Sequence, residues 1–173
     1  MTKNHQIFTR EALELIELAH EAILVCDLES RVTFWNNGAA EMYGGTKEEA
    51  AGQITHDLLQ TQFPVSREAV YGQLLTQGRW EGELIHTRRD GVQIEIASRQ
   101  RMQRNESGQP QTKLEINTDI TTQKQAEARL QLAMENASLG LWDWDLITNQ
   151  IHYDDHWHAL LGYSPDELTQ RLR

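Results

Sequence analysis

The sequence predicts an α+β domain in which five antiparallel strands carry helices on one face. Three observations predict it: two short strands near the N-terminus, several capped short helices in the middle, and a three-strand meander followed by a long helix. Runs of strands separated by runs of helices are typical of domains whose helices lie on one side of an antiparallel sheet. The 173 residues leave room for one such domain of about 100 residues and part of another.

An N-terminal helix and a β-hairpin begin the predicted domain. Thr9 is a good N-cap, and apolar residues then recur at helical spacing as far as about His20. These apolar positions are Leu13, Ile16, Ala19 and Ile23, widened by Leu15 and Leu18. The apolar run of residues 22–27 predicts a buried strand, and residues 32–35 alternate as its hairpin partner.

Capping residues delimit the helices in the middle of the chain. Asn36 is expected to cap a short helix that Gly44 stops. Thr46 and Glu49 have the spacing of a capping box, in which each side chain binds the other residue's backbone N–H. A longer helix is predicted over residues 66–77, and a serine stands at its N-cap.

Three alternating segments form the predicted meander. They are residues 80–87, 92–96 and 113–117. The Asp-Gly pair at 90–91 is a strong hairpin signal between the first two. In the last segment, Leu114 and Ile116 alternate with polar residues, so we expect Glu115 to lie on the exposed face of its strand.

Asp119 is predicted to cap the long helix that follows the meander, called the exit helix below. Its apolar residues Ala126, Leu130, Ala133 and Ala137 are spaced by four, three and four, which is a heptad-like stripe. Together with the stripe of the N-terminal helix, it predicts a homodimer.

The sequence also repeats itself weakly at an offset of 118 residues. Asp27 and Leu28 then fall on Asp145 and Leu146 without a gap, and apolar positions match around them. A repeat of long period predicts tandem copies of one domain. We therefore expect an N-terminal helix at 1–21, a complete domain at 22–120, a linker helix at 121–137 and the truncated start of a second domain at 138–173.

Composition excludes several classes of function. The chain has 26 acidic and 16 basic residues and a net charge of −10, which disfavours nucleic-acid binding and electrostatic membrane anchoring. Its single cysteine excludes an internal disulfide and a multi-cysteine metal site, and it fits a reducing, cytoplasmic setting. No apolar run approaches the length of about 20 residues that a membrane helix needs.

Three stretches resemble the PAS (Per-Arnt-Sim) sensory domain family. They are AILVCDLESRVTFWNNGAAEMYGGTKEE, GRWEGELIHTRRDG and EINTDITTQKQAEARL, and the start of the second copy is similar as well. The resemblance implies a sheet in the order 2-1-5-4-3. It also implies a non-catalytic sensor of a two-component or related system, which passes a signal through Asp119, Thr121 and the exit helix to a histidine kinase or diguanylate cyclase.

The same resemblance raises the question of a ligand or cofactor. No cofactor is favoured, and haem or flavin sensing stays as the alternative. His56 is the candidate haem ligand, although a local cap or surface role is the simpler reading, and Trp35 and Trp80 are candidates for lining a cavity. Cys26 lies in an apolar strand, outside the flavin-reactive motif of light-sensing members, and is read as a small buried hydrophobic residue.

Dimer contacts and a metal site complete the candidates. Leu13, Ile16, Ala19, Ala126 and Leu130 are the expected dimer residues. His152, His156 and His158 form the densest ligand-like cluster, which suggests a metal-dependent enzyme as a further alternative. Side chains two apart on a helix point in different directions, so a solvated corner is the preferred interpretation of this cluster.

Overall fold

The computed structural model describes residues 11–137, 140–154, 157, 160 and 162. The chain divides into two compact units, with the boundary after Thr122. Among the described residues, no helix is long and apolar enough to cross a membrane.

The first unit begins with a helix and a β-hairpin. Residues 11–17 are helical (α1), and the strands β1 (Ala22–Cys26) and β2 (Val32–Trp35) pair antiparallel. Leu24 lies opposite Trp35 in this pairing, and both side chains are buried. Along β1, Ala22, Leu24 and Cys26 are fully buried on one face, whereas Ile23 and Val25 on the other face are half-buried.

Four helices follow, and most of their ends are capped as the sequence predicts. They are α2 (Asn37–Tyr43), α3 (Lys47–Ala50), α4 (Thr55–Leu58) and α5 (Arg67–Gln77). The Asn36 and Ser66 side chains accept hydrogen bonds at the starts of α2 and α5, and the capping box of Thr46 and Glu49 is formed. Gly44 ends α2 with a φ of +79°, a conformation that glycine adopts without strain.

The meander completes a five-stranded antiparallel sheet. Its strands are β3 (Arg79–Thr87), β4 (Gln93–Arg104) and β5 (Pro110–Asp119). The order across the sheet is β2-β1-β5-β4-β3, because β5 returns to pair with β1. The predicted fold class and strand order are therefore confirmed.

The two faces of β5 are the reverse of the prediction. Lys113, Glu115 and Asn117 are buried, whereas Leu114 and Ile116 are only half-buried. The expectation that Glu115 is exposed was wrong. An alternating pattern shows which residues share a face of the strand, but not which face turns inward. The charged residues Lys113 and Glu115 can be buried here because they pair with each other.

The exit helix α6 (Thr121–Ala137) begins two residues after the last residue of β5. In the second unit, β6 (Trp142–Asp145) and β7 (Gln150–Tyr153) form an antiparallel hairpin. No other strand pairs with this hairpin among the residues that the structure describes.

The hairpin of the second unit shares two residue pairs with β1–β2 at an offset of 118 residues, and the registers differ from Cys26 onward, where β1–β2 contains an irregularity. Trp142 lies opposite Tyr153, just as Leu24 lies opposite Trp35. The similarity extends beyond the strands to the turn that follows β7. There the backbone N–H of Asp154 donates to the carbonyl of Leu141 at 3.0 Å.

In the first unit, the backbone N–H of Asn36 donates to the carbonyl of Ile23 at 3.1 Å, which is the equivalent of the hydrogen bond between Asp154 and Leu141. A second bond is repeated as well, because Oδ1 of Asp154 accepts from the backbone nitrogen of Trp157 at 2.8 Å. Oδ1 of Asn36 accepts from the backbone nitrogen of Ala39 at the same distance. The weak sequence repeat is thus accompanied by two matching residue pairs and matching hydrogen bonds.

Candidate functional site

The first unit contains a cavity of about 550 Å³, called the main cavity below. Its sheet side is formed by strands β3, β4 and β5, and its helical side by α4, α5 and the segment between them. The sheet side is largely polar and carries His86, Gln100, Lys113 and Glu115; the helical side carries Phe63, Val70, Tyr71 and Leu74. The volume lies in the range of small-molecule sites.

Lys113 and Glu115 form a buried ion pair on the sheet side of the main cavity. The ammonium nitrogen lies 2.6 Å from Oε1 of Glu115, and the two side chains are 10% and 4% exposed. Burial lowers the pKa of Lys113, but the Glu115 carboxylate outweighs it, so the pKa is raised overall. The raised pKa keeps Lys113 charged, and removing either partner of this ion pair would leave the other buried without its partner.

His86 and Tyr43 form a second buried pair beside the cavity. The Tyr43 hydroxyl lies 2.8 Å from Nδ1 of His86. Burial lowers the pKa of His86 to about 4, while Glu115 acts in the opposite direction. Burial also raises the pKa of Tyr43, with the nearby Asn117 amide opposing it. At neutral pH both rings are uncharged, so Lys113 and Glu115 are the charged groups on the sheet side.

Cys26 is fully buried and belongs to a short hydrogen-bonded chain. Its sulfur lies 2.9 Å from the Thr55 hydroxyl, which donates its own hydrogen to the carbonyl oxygen of Ser30. Because that hydrogen is used, the thiol of Cys26 is the donor to Thr55. Burial, together with Glu115, raises the pKa of Cys26 to about 12. The thiol is therefore protonated and does not act as a nucleophile at neutral pH.

His56 lies on α4 at the mouth of the main cavity. Its Nε2 accepts a hydrogen bond of 2.7 Å from the Arg67 guanidinium. Burial, followed by the neighbouring Arg67, lowers its pKa. A haem iron would need the lone pair that this hydrogen bond engages, so the arrangement does not fit a haem ligand.

The two candidate tryptophans do not line the main cavity. Trp35 lines a smaller cavity of about 280 Å³ together with Tyr43 and Leu59, and its ring packs 5.4 Å from that of Tyr43. Trp80 lies over Gly82, where a β-carbon would come within 2.6 Å of the indole ring. Both rings are buried in the core, and Trp35 lines the smaller cavity.

The junction between β5 and the exit helix is fixed by hydrogen bonds. Oδ1 of Asp119 accepts from the backbone nitrogen of Thr121 at 2.8 Å. The Thr121 hydroxyl in turn accepts from the backbone nitrogen of Glu95 on β4 at 2.8 Å. The backbone nitrogen of Ile120 donates to the carbonyl of Glu95 at 2.9 Å. The first residue of α6 is thus attached to two strands of the sheet.

The proposed dimer residues differ in exposure. On α1, Leu13 is exposed and Ile16 is half-buried, and Ala19, which follows the helix, is half-buried as well. The most exposed apolar side chains of this segment are instead Leu15 and Leu18, at 69% and 76%. On α6, Ala126, Leu130, Leu132 and Ala133 are exposed. Both helices therefore present apolar surface that the described contacts leave uncovered.

The histidine cluster is only partly described. His152 lies on β7 and is exposed, whereas His156 and His158 lie outside the described residues. Within the described ranges, no group of three or more His, Cys, Asp or Glu side chains could hold a metal ion.

The polar residues on the sheet side of the main cavity are not among the site residues predicted from the sequence. For His86 a signal existed, since it follows the buried Trp80 and Leu84 at even spacing along β3 and so belongs to the same face. For Lys113 and Glu115 there was none, because charged residues two apart on a strand are normally read as its solvent face.

Comparisons with known proteins agree with this architecture. A family model described as PAS domain matches residues 20–122. A PAS domain of a protein from Colwellia psychrerythraea is 31% identical with a TM-score of 0.59, and the match covers 67% of this chain and 98% of that chain. No curated protein matches.

Two further structures show the same fold at lower identity. A PAS domain from a two-component sensor histidine kinase is 10% identical with a TM-score of 0.58, covering 66% of this chain and 98% of that one. An RNA-binding light-oxygen-voltage receptor is 22% identical with a TM-score of 0.62; the match covers 78% of this chain and 37% of that chain.

Proposed function

This chain belongs to the PAS domain family, and we propose that its residues 22–120 form a non-catalytic sensory module. The module binds a small molecule in the main cavity and passes the signal on through the exit helix. The observation that carries the proposal is the continuity of β5. This strand places Lys113 and Glu115 in the main cavity, ends at Asp119, and is followed almost at once by α6.

The relay itself follows from the lack of a flexible loop at the junction. A ligand that displaces β5 must also displace Asp119, which holds the first backbone N–H of α6. Thr121 and Glu95 attach the same point to β4, so a change in the twist of the two strands is passed to the start of the helix. Thr121 and Asp119 are therefore the relay residues of the proposal.

A homodimer is part of the proposed function. The exposed leucines of α1 and the apolar stripe of α6 offer surfaces that a second copy of this chain would cover. Ala126 and Leu130 supply the first part of the α6 stripe. Leu13 and Leu15 on α1, with Leu18 just after it, supply the N-terminal surface.

We further propose that the second unit is the start of another domain of the same family. The residue pairs and hydrogen bonds shared at an offset of 118 residues support this tandem arrangement. The effector that we propose is a histidine kinase or a diguanylate cyclase, and one structure with this fold belongs to a two-component sensor histidine kinase.

Haem and flavin sensing are not part of this proposal. The lone pair of His56 Nε2 is engaged by Arg67, and the single cysteine, Cys26, is buried and protonated, so it does not supply the flavin-reactive thiol of light-sensing members. A metal-dependent enzyme is not proposed either, since the described residues supply no ligand set.

A variant that fills the main cavity tests the relay without knowledge of the ligand. Val70 is buried on α5 and lines the cavity, so Val70→Trp should occupy part of its volume. We expect amide hydrogen exchange of residues 119–125 to change about fivefold or more, in line with usual coupling energies. Val92→Trp, at an exposed position, is the control. Unchanged exchange at 119–125 in a folded Val70→Trp variant would contradict the proposal.

A further inference from the structure

The sheet side of the main cavity carries one positive and one negative charge. Lys113 and Glu115 supply them, and their charged atoms lie 2.6 Å apart. The other charged residues of the lining, Glu29, Arg67 and Glu68, are exposed at the mouth, where Arg67 and Glu68 lie 3.6 Å from each other. The interior of the cavity is therefore dipolar but has no net charge.

This charge pattern discriminates against ligands with a single charge. An anion that pairs with Lys113 is also brought close to the Glu115 carboxylate, and a cation that pairs with Glu115 meets the Lys113 ammonium. Either ligand must break or strain a buried ion pair, and an uncompensated buried charge is strongly unfavourable. An uncharged ligand leaves the pair intact but forms only ordinary hydrogen bonds with it.

A zwitterion avoids both difficulties. Its carboxylate can accept from Lys113 while its ammonium donates to Glu115, so four charges alternate in a ring and none is left alone. Hydrogen bonds with an ionised donor or acceptor are about twice as strong as neutral ones. Gln100 lies on the same side of the cavity and adds a neutral amide.

The helical side of the cavity indicates what the rest of such a ligand looks like. Phe63, Val70 and Leu74 are apolar, and Leu84 continues this surface on β3. An apolar group placed against them is removed from water, which favours binding by about 25 cal/mol for each Å² buried. The cavity thus combines a dipolar end with an apolar wall.

We propose that the main cavity binds an apolar zwitterion of the α-amino-acid type, with its charged head on Lys113 and Glu115 and its side chain against the helical wall. This inference rests on the proposed sensory function and specifies the class of ligand. It makes Lys113 and Glu115 the residues that determine specificity.

Four probes of matched shape test the ligand class on the full chain. They are L-leucine, 4-methylpentanoate, 3-methylbutylamine and 4-methylpentanamide, which are zwitterionic, anionic, cationic and neutral. Calorimetric titration should give the tightest binding for L-leucine, by at least about tenfold over each of the other three. If any of the others binds equally well, or if L-leucine does not bind at millimolar concentration, the inference is wrong.

Variants of the pair should change the preference in opposite directions. Glu115→Gln leaves an ammonium and should favour 4-methylpentanoate, whereas Lys113→Met leaves a carboxylate and should favour 3-methylbutylamine. The double variant Lys113→Met with Glu115→Gln removes both charges without leaving one unpaired, so it should fold and bind L-leucine no better than 4-methylpentanamide. Arg89→Gln, which breaks an exposed pair with Glu49, is the control and should keep the wild-type order. A double variant that retains the preference for L-leucine would overturn the inference.

Hydrogen exchange separates this inference from the proposed relay. Binding of L-leucine that leaves exchange of residues 119–125 unchanged would support the ligand class and contradict the relay. A response of the same residues to 4-methylpentanamide but not to L-leucine would support the relay and contradict the ligand class.

Discussion

Oδ1 of Asp119 lies 2.8 Å from the backbone nitrogen of Thr121, so the last residue of β5 holds the first residue of α6. The backbone of Glu95 on β4 adds two hydrogen bonds at this point, one donated to the Thr121 hydroxyl and one accepted from the backbone nitrogen of Ile120. The Asp119 side chain is therefore a point of the junction on which one substitution can act.

Asp119→Ala should alter the signalling output of the protein while the domain stays folded. Loss of a side-chain cap costs about 0.5–2 kcal/mol, which is comparable to typical allosteric coupling energies. The measurement compares effector activity in the two signalling states with the melting temperature. Gln111→Ala, at an exposed position of β5, is the control. Lower stability with an unchanged signalling ratio would mean that Asp119 is only a structural cap.

His86 should make the stability of the domain depend on pH. The unfolded chain binds a proton at His86 near pH 6.5, whereas the folded chain binds it only near pH 4. The unfolded state therefore binds more protons between these values, and stability is lost as the pH falls from 6.5 to 4, by about 3 kcal/mol.

Chemical denaturation between pH 4.5 and 7 tests the role of His86. His86→Gln should flatten the pH dependence while keeping a polar partner for Tyr43. His56→Gln should remove a smaller part of the slope, because the pKa of His56 is lowered as well. The exposed His152 provides the control variant His152→Gln. Equal slopes for the wild type and His86→Gln would contradict the assignment.

Asn36 is expected to be among the polar residues on which stability most depends. Its Oδ1 accepts from the backbone nitrogens of Ile23 and Ala39, and its Nδ2 donates to the carbonyls of Ile16 and Glu21, all within 2.8–3.1 Å. Asn36→Ala should lower the free energy of unfolding by more than about 2 kcal/mol, because buried backbone groups lose their partners.

Asn36→Asp is the informative comparison for that variant. It keeps the acceptor for Ile23 and Ala39 but removes the donor, and Asp154 stands at the matching position of the second unit. We expect an intermediate loss of stability in urea denaturation. A loss as large as that of Asn36→Ala would show that the donor bonds dominate.

The chain should be a dimer at tens of micromolar. Leu15→Glu with Leu18→Glu should weaken it more than Ile16→Glu with Ala19→Glu, because the first pair is the more exposed. Analytical ultracentrifugation measures the effect, and Leu130→Glu tests the stripe of α6 in the same way. A monomeric wild type at this concentration would remove the dimer from the proposal.

Residues 138–173 should not fold when expressed alone. Their described strands are the β6–β7 hairpin, which exposes Trp142 and Trp144, and an isolated two-stranded hairpin is at best marginally stable in water. The circular dichroism spectrum should be that of an unfolded chain. A cooperative thermal transition would show that this segment is a domain by itself.

The fold was predictable because its signals are local. Caps such as Asn36 and Thr46, and the turn at Asp90, depend on residues only a few positions apart. The strand order came from the family resemblance, since pairing of β1 with β5 joins segments about 90 residues apart, which no local pattern specifies.

The site was less predictable than the fold. Whether Glu115 faces solvent or the core depends on Lys113 lying beside it and on the helices that cover this side of the sheet. Likewise, Trp35 and Trp80 are core residues as their hydrophobicity indicates, but their distance from the main cavity depends on tertiary packing alone.

The buried thiol of Cys26 has a practical consequence for labelling experiments. Because it is the single cysteine of the chain, is fully buried and has a pKa of about 12, maleimides and spin labels should leave it unmodified in the folded state. A cysteine introduced on α1 or α6 can then be labelled selectively without replacing Cys26. Conversely, slow alkylation of Cys26 itself measures how often β1 separates from its two neighbouring strands, so the wild-type chain carries its own probe of unfolding.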